Sequence, residues 1–495
     1  MTIATTTGIL QPRVLPRLYR DSVALMAIAS TTEKRDGVIR VGSVMATPAN
    51  LQILAESEML PAGLAASADD LVIVVRAETA EAAEAALDAA EQSLTSVESS
   101  GNRVERRPST IDEGIAVALA DDADQPPTLA TISVPGTYAP LVAERAIRRG
   151  MHVFCFSDNV SLDDEVRLKQ LAVEHGKLHM GPDCGTAILD GVPLGFANVV
   201  REGSIGIVAA SGTGAQEVSR LIDFGGGGVS QLIGVGGRDL SSAVGGLMTN
   251  LALDLLGDDP DTDVIVVVSK PPATEVAIAL LEQLSRIARD GTPTVACFLG
   301  AQDTDPEGGM SGVVVRGTLE AGAEAALQLA GFPFDLESPP SAAVPPGRIL
   351  GLYTGGTLAS ETKVILKNAG VVSEILDLGD DEYTAGRPHP MIDPETRADR
   401  IVAAGADPGV GTILLDLVLG FGASADPATP VATAVRQARE QATASGRDIL
   451  VVASVCGTAG DPQGLERQRT ILAEAGIVLC QTNAAAARLV AQVAS

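Results

Sequence analysis

A glycine-rich turn occurs twice in this sequence, each time directly after an apolar run that predicts a β-strand. The first turn follows residues 205–209 and the second follows residues 349–353. A helix-like stretch follows each turn, and Glu217 and Glu361 stand at the same place in the two copies, 144 residues apart. Strand, glycine turn and helix start together indicate an anion site. The candidate phosphate-binding residues are Ser211, Gly212, Thr213 and Gly214 in the first turn, and Gly355, Gly356 and Thr357 in the second.

The physical basis of this prediction is the start of the helix. The first backbone N–H groups of a helix have no partner within it, and glycine lets a phosphate or carboxylate approach them closely. The alternative is that glycine only closes a tight connection between strand and helix. Two such turns imply two anion sites, or one site shared between two domains. The duplication favours at least one functional site, although it leaves open which of the two turns is used.

Composition excludes several classes of partner. The formal net charge of −28 argues against a nucleic-acid or anionic-membrane surface, which needs clustered Lys and Arg. Apolar runs such as residues 264–268 are strand-length and far short of the roughly 20 residues that a membrane-spanning helix requires. The 5 cysteines are widely spaced without a CxxC pair, which favours reduced thiols in the cytoplasm over disulfides or a metal site.

The order of apolar and helical patterns predicts an α/β protein. Residues 21–150 alternate strand-like and helix-like runs, which predicts a parallel sheet in a Rossmann-like N-terminal domain over residues 1–200. Residues 201–336 and 347–495 carry matching elements in the same order, and the proline-rich residues 337–346 predict a linker. The second and third domains are therefore predicted to be duplicated flavodoxin-like parallel-sheet domains, with ligands at the carboxyl ends of the strands.

Seven runs of this sequence together resemble the FdrA family. They cover most of the chain, and the last, which reads Gly-Arg-Pro-His-Pro-Met-Ile-Asp, is the most distinctive; the runs are residues 179–186, 209–217, 234–240, 268–273, 352–358, 377–383 and 386–393. FdrA proteins are related to the succinyl-CoA synthetase superfamily. The resemblance further implies one subunit of a heteromeric oxamate carbamoyltransferase, which interconverts oxamate plus carbamoyl phosphate with oxalurate plus phosphate in allantoin breakdown. It implies companion subunits, small anionic substrates and no cofactor.

Two departures separate the sequence from the CoA-ligase pattern. Succinyl-CoA synthetases carry a glycine-rich CoA-binding turn in their first domain, and residues 41–50 here have no glycine cluster. The chain also lacks the Gly-His-Ala-Gly setting of their phosphorylated histidine, and no stretch is typical of an ATP-grasp domain. Two alternatives stay open: an acyl-CoA synthetase that uses CoA and a nucleotide, with His389 as phosphate acceptor, and a non-catalytic scaffold subunit.

Carbamoyl transfer needs positive or N–H-rich groups at the carbonyl oxygen and a guide for the acceptor. Arg238 follows an apolar run and suits a bidentate pair with phosphate or carboxylate, and Lys270 places a charge after a strand. His389 stands between two prolines with Arg387 before it, which suits a general acid or base. These four residues are the candidate catalytic set, and each also has a purely structural interpretation.

Three further residues complete the candidate substrate-binding set. Asp183 and Cys184 fall in a tight Gly-Pro-Asp-Cys-Gly turn, and Asp239 follows Arg238. A structural role competes at each position, since Cys184 has no identified base partner. The carboxylates at residues 380–382 are too closely spaced for an oxygen-ligand metal site, so no metal is predicted.

Overall fold

The computed structural model describes residues 8–18, 20, 22–96, 108–120, 127–306, 312–384 and 388–494. The described residues form two compact units. The first contains those up to Pro108 together with Asp381–Asp393, and the second contains Ser109–Asp380 and Pro394–Ser495 as far as they are described.

The first unit is a three-stranded antiparallel sheet with helices on both faces. Its elements are β1 (Ile9–Leu15), α1 (Ser22–Glu33), β2 (Val38–Met45), α2 (Pro48–Glu56), β3 (Leu71–Ala77) and α3 (Ala80–Ser96). The strand order is β1-β3-β2, and both outer strands run antiparallel to β3. Ile73 and Val75 pack in the apolar cluster that contains α3, whereas Val72 and Val74 pack in the cluster that contains Leu54 of α2.

The parallel sheet predicted from residues 21–150 is therefore wrong for this unit. Every residue from Leu71 to Val75 is fully buried, because helices cover the central strand on both faces. A continuous apolar run of this kind is typical of a parallel strand, and an antiparallel strand covered on both faces has the same composition. The apolar run that led to the prediction of a parallel sheet does not encode the direction of the strand.

The second unit begins with a short parallel sheet. Its first elements are α4 (Ile111–Ala120), β4 (Leu129–Ile132), α5 (Ala139–Arg148), β5 (His152–Cys155), α6 (Leu162–Glu174), β6 (His179–Met180), β7 (Thr186–Leu189) and β8 (Val192–Gly195). Strands β4, β5 and β6 pair in parallel. The β7–β8 hairpin joins the next sheet along the chain instead.

The first repeat is a flavodoxin-like domain. Its elements are β9 (Glu202–Ala209), α7 (Gly212–Phe224), β10 (Val229–Gly234), α8 (Leu247–Gly257), β11 (Val264–Ser269), α9 (Thr274–Asp290), β12 (Thr294–Phe298), β13 (Val313–Arg316) and α10 (Leu319–Leu329). The seven-stranded sheet has the order β13-β12-β11-β9-β10-β7-β8. Its five parallel strands follow the 2-1-3-4-5 order of flavodoxin-like folds.

The second repeat has the same topology. After residues 333–345, which contain no helix or strand, come β14 (Arg348–Tyr353), α11 (Gly356–Asn368), β15 (Ser373–Asp377), α12 (Asp381–Thr384), α13 (Glu395–Ala406), β16 (Val410–Val418), α14 (Ala428–Ala444), β17 (Leu450–Cys456), α15 (Leu465–Glu474), β18 (Val478–Cys480) and α16 (Asn483–Ala494). All of these belong to the second unit except α12, which belongs to the first. The parallel order β15-β14-β16-β17-β18 again matches 2-1-3-4-5. The predicted α/β class with parallel sheets is thereby confirmed.

Within the described part of the chain, no helix combines the length and the apolar character that crossing a membrane requires.

Helix α13 packs on α14 through a glycine. A Cβ atom added to Gly405 would lie 2.3 Å from the Cα and 2.4 Å from the carbonyl oxygen of Ala438. We predict that Gly405→Ala lowers the free energy of unfolding by about 2 kcal/mol, because the two helix backbones must separate. Thermal denaturation followed by circular dichroism measures the effect. Gly257→Ala is the matched control, since its added methyl meets only ordinary contacts with Ile287 at 3.7 Å. Equal melting temperatures for the two variants would refute this account of the packing.

Candidate functional site

The two glycine turns predicted from the sequence meet in the structure. Helices α7 and α11 begin at the carboxyl ends of β9 and β14, the first strand of each repeat. The Ser211 Oγ and Thr357 Oγ1 atoms lie 2.5 Å apart, and the Thr357 N–H donates to Thr213 Oγ1 at 3.4 Å. We call Ser211–Gly214 and Gly355–Thr357 together the paired helix starts. Of the two alternatives that the sequence left open, two separate turns or one shared between two domains, the structure has the turns in contact.

Glycine allows this close approach. A Cβ atom on Gly214 would lie 2.5 Å from Ser211 Oγ and 3.0 Å from Thr357 Cγ2. A Cβ atom on Gly355 would lie 3.1 Å from Thr213 Cβ, which is tighter than most real contacts. A larger residue at either position would therefore push the two helices apart.

The start of α7 keeps free donors. Ser211 caps the helix by accepting a hydrogen bond from the Gly214 N–H at 3.0 Å. Within the described residues, the N–H groups of Gly212 and Thr213 have no hydrogen-bond partner. They are half-buried, and the partial positive charge of the helix start lies on them. This end of the pair can accept an anion.

The turn immediately before α11 is already occupied by a carboxylate of the chain. The Thr354 and Gly355 N–H groups donate to the fully buried Asp416 at 2.8 and 2.7 Å. Arg397, also buried, donates to the same carboxylate at 2.9 Å. Of the predicted phosphate donors, Gly355 is therefore not available in this structure, because Asp416 accepts its N–H.

A second carboxylate lies beside Gly356. A Cβ atom on Gly356 would lie 2.2 Å from Asp377 Oδ2. Burial raises the pKa of Asp377, and the exposed ammonium group of Lys270 acts in the opposite direction. The structure thus places the predicted Lys270 near the second turn, where it offsets negative charge. Among the residues that the structure describes, an incoming anion meets free N–H donors at α7, whereas the free N–H of Gly356 at α11 lies beside the Asp377 carboxylate.

Behind the paired helix starts, each repeat caps a helix of the other. Glu361, in the second repeat, accepts the N–H of Leu319, the first residue of α10, at 2.7 Å. Glu217, in the first repeat, accepts the N–H of Asn483, the first residue of α16, at 3.4 Å. Asn483 also donates its side-chain N–H to Glu361 at 2.8 Å. We call Glu217 and Glu361 the reciprocal glutamates.

The reciprocal glutamates differ in their electrostatics. Glu217 forms a buried ion pair with Arg220, with Nε 2.9 Å from Oε2. The residue that corresponds to Arg220 in the second repeat, 144 positions later, is Val364. Without an arginine, burial raises the pKa of Glu361 to about 7, although the Asn483 side chain partly offsets the effect. The nearby charge of Glu217 raises it further.

Arg238 and Asp239 belong to a different cluster, in the turn after β10. Arg238 forms an ion pair with buried Glu165, with Nε 2.7 Å from Oε2, and remains half-exposed. The fully buried carboxylate of Asp239 accepts hydrogen bonds from Lys169, Met248 and Thr249. Asp239 therefore belongs to the buried framework and does not face a substrate, contrary to the prediction.

Asp183 and Cys184 belong to residues 181–186, which lie beside both the start of α7 and the turn that carries Arg238 and Asp239. Asp183 is exposed and has a left-handed backbone, with φ of 54°. Cys184 is buried, and burial raises the pKa of its thiol to about 12. A thiol with such a pKa stays protonated at neutral pH and is a poor nucleophile. The structure favours the structural interpretation of Cys184.

His389 lies in the first unit. Its Nδ1 accepts the Met391 N–H at 3.2 Å, and its carbonyl accepts the N–H groups of Ile392 and Asp393. Burial lowers the pKa of its imidazole to about 4, so the ring is neutral at neutral pH. Arg387 lies outside the described residues. The catalytic role of these two residues stays a prediction.

Three charged residues near the predicted sites were not predicted from the sequence: Asp416 beside the second turn, and Lys169 and Glu165 beside Arg238 and Asp239. Asp416 interrupts an apolar run of β16, and a lone carboxylate in a buried strand was the available signal. Lys169 and Glu165 stand four residues apart on α6, a spacing that is also typical of surface ion pairs. Nothing in the local sequence distinguished them from such a pair.

The chain is similar to two protein families and, over nearly its whole length, to a protein of Escherichia coli. The model described as CoA-ligase matches residues 352–493, and the model described as AllF, heavy metal-associated domain, matches residues 9–109. The uncharacterized protein YahF of Escherichia coli is 40% identical over 504 residues, covering 95% of this chain and 96% of YahF.

Across the described part of the chain, no three His, Cys, Asp or Glu side chains gather where they could hold a metal ion.

More distant relatives are CoA ligases. The ADP-forming sulfoacetate-CoA ligase subunit SauD of Bilophila wadsworthia is 30% identical over 42% of this chain and 73% of its own length. The alpha subunit of the ADP-forming succinate–CoA ligase of Methanothermobacter thermautotrophicus is 30% identical over 38% of this chain and 62% of its own length. A solved structure of dinucleotide forming acetyl-coenzyme A synthetase 1 from Ca. Korarchaeum cryptofilum, with phosphate and ADP, is 16% identical. It covers 75% of this chain and 83% of its own, with a TM-score of 0.34, too low to support an argument.

The raised pKa of Glu361 predicts a pH dependence of stability. Its pKa is about 7 in the folded chain and near 4.3 in an unfolded one, so the folded state binds the proton more tightly. The contribution is full below pH 4.3 and is lost as pH rises to about 7, on the order of 4 kcal/mol at most. Glu361→Gln should remove this part of the slope in urea unfolding between pH 5 and 8. The control Glu374→Gln, at an exposed site, should keep the slope of the unmodified protein. An unchanged slope in Glu361→Gln would contradict the prediction.

Proposed function

The chain belongs to the succinyl-CoA-synthetase-like superfamily of CoA ligases and, within it, to the family of YahF, and from that premise we propose that it is the phosphate-handling subunit of an acyl-CoA-synthetase-like enzyme. The paired helix starts are the observation that carries this proposal. They would hold the phosphate of an acyl phosphate, the mixed anhydride that links a carboxylic acid to inorganic phosphate.

The donors suit this ligand. The free, half-buried N–H groups of Gly212 and Thr213 lie next to the hydroxyls of Ser211 and Thr357, which are 2.5 Å apart. Hydrogen bonds to an anion are roughly twice as strong as neutral ones, and the dipole of α7 adds to them. Phosphate leaves more readily when its developing charge meets donors that are already oriented.

The acyl-transfer step balances without a further group in this chain. A thiol such as that of CoA attacks the carbonyl carbon of the acyl phosphate, the carbon–oxygen bond to phosphate breaks, and thioester and inorganic phosphate form. In the opposite direction phosphate attacks the thioester. Transfer of the phosphoryl group to ADP would occur on a companion subunit, because no part of this sequence is typical of an ATP-grasp domain.

A second candidate, carbamoyl transfer, is favoured by two observations. The matched AllF domain occupies residues 9–109, and the three histidines of the second unit lie on or beside β5, α6 and β6 without contacts at the paired helix starts. Carbamoyl phosphate is itself an acyl phosphate and requires neither phosphohistidine nor CoA. The nitrogen of oxamate would attack its carbonyl carbon, releasing phosphate and forming oxalurate.

One experiment tests the proposal and separates its two forms. The chain would be purified from its host with its companion subunits. Phosphate- and ADP-dependent breakdown of acyl-CoA would support the ligase, and oxamate-dependent release of phosphate from carbamoyl phosphate without nucleotide or CoA would support carbamoyl transfer. Absence of both reactions in the intact complex would refute the proposal.

In whichever reaction is found, Ser211→Ala should raise the KM for phosphate or the acyl phosphate by about 10-fold or more, the equivalent of one hydrogen bond to a charged group. Ser161→Ala is the matched control, because Ser161 caps α6 in the same way, accepting the Asp164 N–H at 3.1 Å. Steady-state kinetics of the two purified complexes make the comparison. If the two variants behave alike, the paired helix starts do not bind the phosphate.

A further inference from the structure

Arg238 lies at the carboxyl edge of the seven-stranded sheet in an ion pair with buried Glu165, and half of its side chain is exposed. We propose that Arg238 is a second anion anchor, which binds a carboxylate or sulfonate that stays charged while another group of a small acid reacts. This inference rests on the proposed function and extends it by naming the substrate class: acids with an anionic group beside the reacting one.

The guanidinium has one engaged side and one open side. Its Nε lies 2.7 Å from Glu165 Oε2, and its Nη2 donates to the Val160 carbonyl at 2.9 Å. Among the described residues, none accepts a hydrogen bond from Nη1. The outward N–H groups of Nη1 and Nη2 form the fork that matches the two oxygens of a carboxylate.

Buried charges hold the engaged side in place. Glu165 is fully buried, and its other oxygen lies 2.9 Å from the ammonium group of Lys169, which is also fully buried. Lys169 donates in addition to Asp239 at 2.8 Å and to the Val235 carbonyl at 2.9 Å. Burying the three linked charges of Glu165, Lys169 and Asp239 costs stability, and the Glu165 carboxylate that they hold in place is the one that pairs with Arg238.

The anchor lies on the same edge of the sheet as the phosphate donors. The turn that carries Arg238 follows β10, and α7 follows β9, its hydrogen-bonded neighbour in the sheet. Residues 181–186 run beside both: a Cβ atom on Gly212 would lie 3.4 Å from Thr186 Oγ1, and one on Gly236 would lie 2.7 Å from the Pro182 carbonyl. Arg238 and the phosphate donors therefore lie along one edge of the sheet, joined by residues 181–186.

Equilibrium binding of oxamate, measured by isothermal titration calorimetry with the full chain at saturating phosphate, tests the anchor. Oxamide is the matched neutral compound, since it replaces the carboxylate with an amide. We expect oxamate to bind and oxamide to bind at least 10-fold more weakly. Arg238→Gln should weaken oxamate binding 10-fold or more and leave phosphate binding unchanged.

Two further variants keep the result interpretable. Arg201→Gln is the control, because Arg201 is a half-exposed arginine in an ion pair with Asp223, 2.9 Å away, near the opposite ends of the strands. It should bind both ligands normally. Arg238→Lys keeps a charge beside Glu165 and should preserve the melting temperature, yet it should still weaken oxamate binding because ammonium offers no fork.

The outcomes separate the two proposals. If Arg238→Gln binds oxamate as the unmodified protein does, or oxamide binds as well as oxamate, the anchor is refuted. If the unmodified protein binds phosphate but not oxamate, the anchor fails and the phosphate site stands. If neither ligand binds, both proposals fail.

Discussion

The reciprocal capping of helices by Glu217 and Glu361 is the constraint on which the site depends. Each carboxylate belongs to one repeat and accepts an N–H at the start of a helix in the other repeat. An isolated repeat would leave a buried carboxylate and an unpaired helix start, so each repeat needs the other. The same contact fixes α7 against α11 and thereby brings Ser211 and Thr357 together.

This constraint explains why the sequence predicted the duplication but could not choose between two separate turns and one shared site. The strand, turn and helix order and the 144-residue offset of Glu217 and Glu361 predicted two matching domains, because local patterns encode them. The meeting of the two turns depends on contacts between residues over 140 positions apart, such as Ser211 with Thr357. The direction of β3 was likewise invisible, since burial on both faces gives parallel and antiparallel strands the same composition.

The framework around Arg238 shows a second limit. Glu165 and Lys169 have the spacing of a solvent-exposed ion pair, and only the packing of α6 against the turn after β10 buries them. Arg238 was predicted from the sequence to bind an anion, because an arginine after an apolar run suits that role. The neighbours that fix its orientation were not identified, because their burial is a property of the tertiary structure.

The two repeats have also become unlike each other. In the second repeat Asp416 accepts the N–H groups of Thr354 and Gly355, and Arg397 balances the charge of that carboxylate. Among the described residues an anion therefore meets the free N–H groups of Gly212 and Thr213 at α7, while at α11 the free N–H of Gly356 lies beside the Asp377 carboxylate. The two repeats therefore share one strand order but differ in charge at their first helix, because only the second has a buried carboxylate that accepts the N–H groups of the preceding turn.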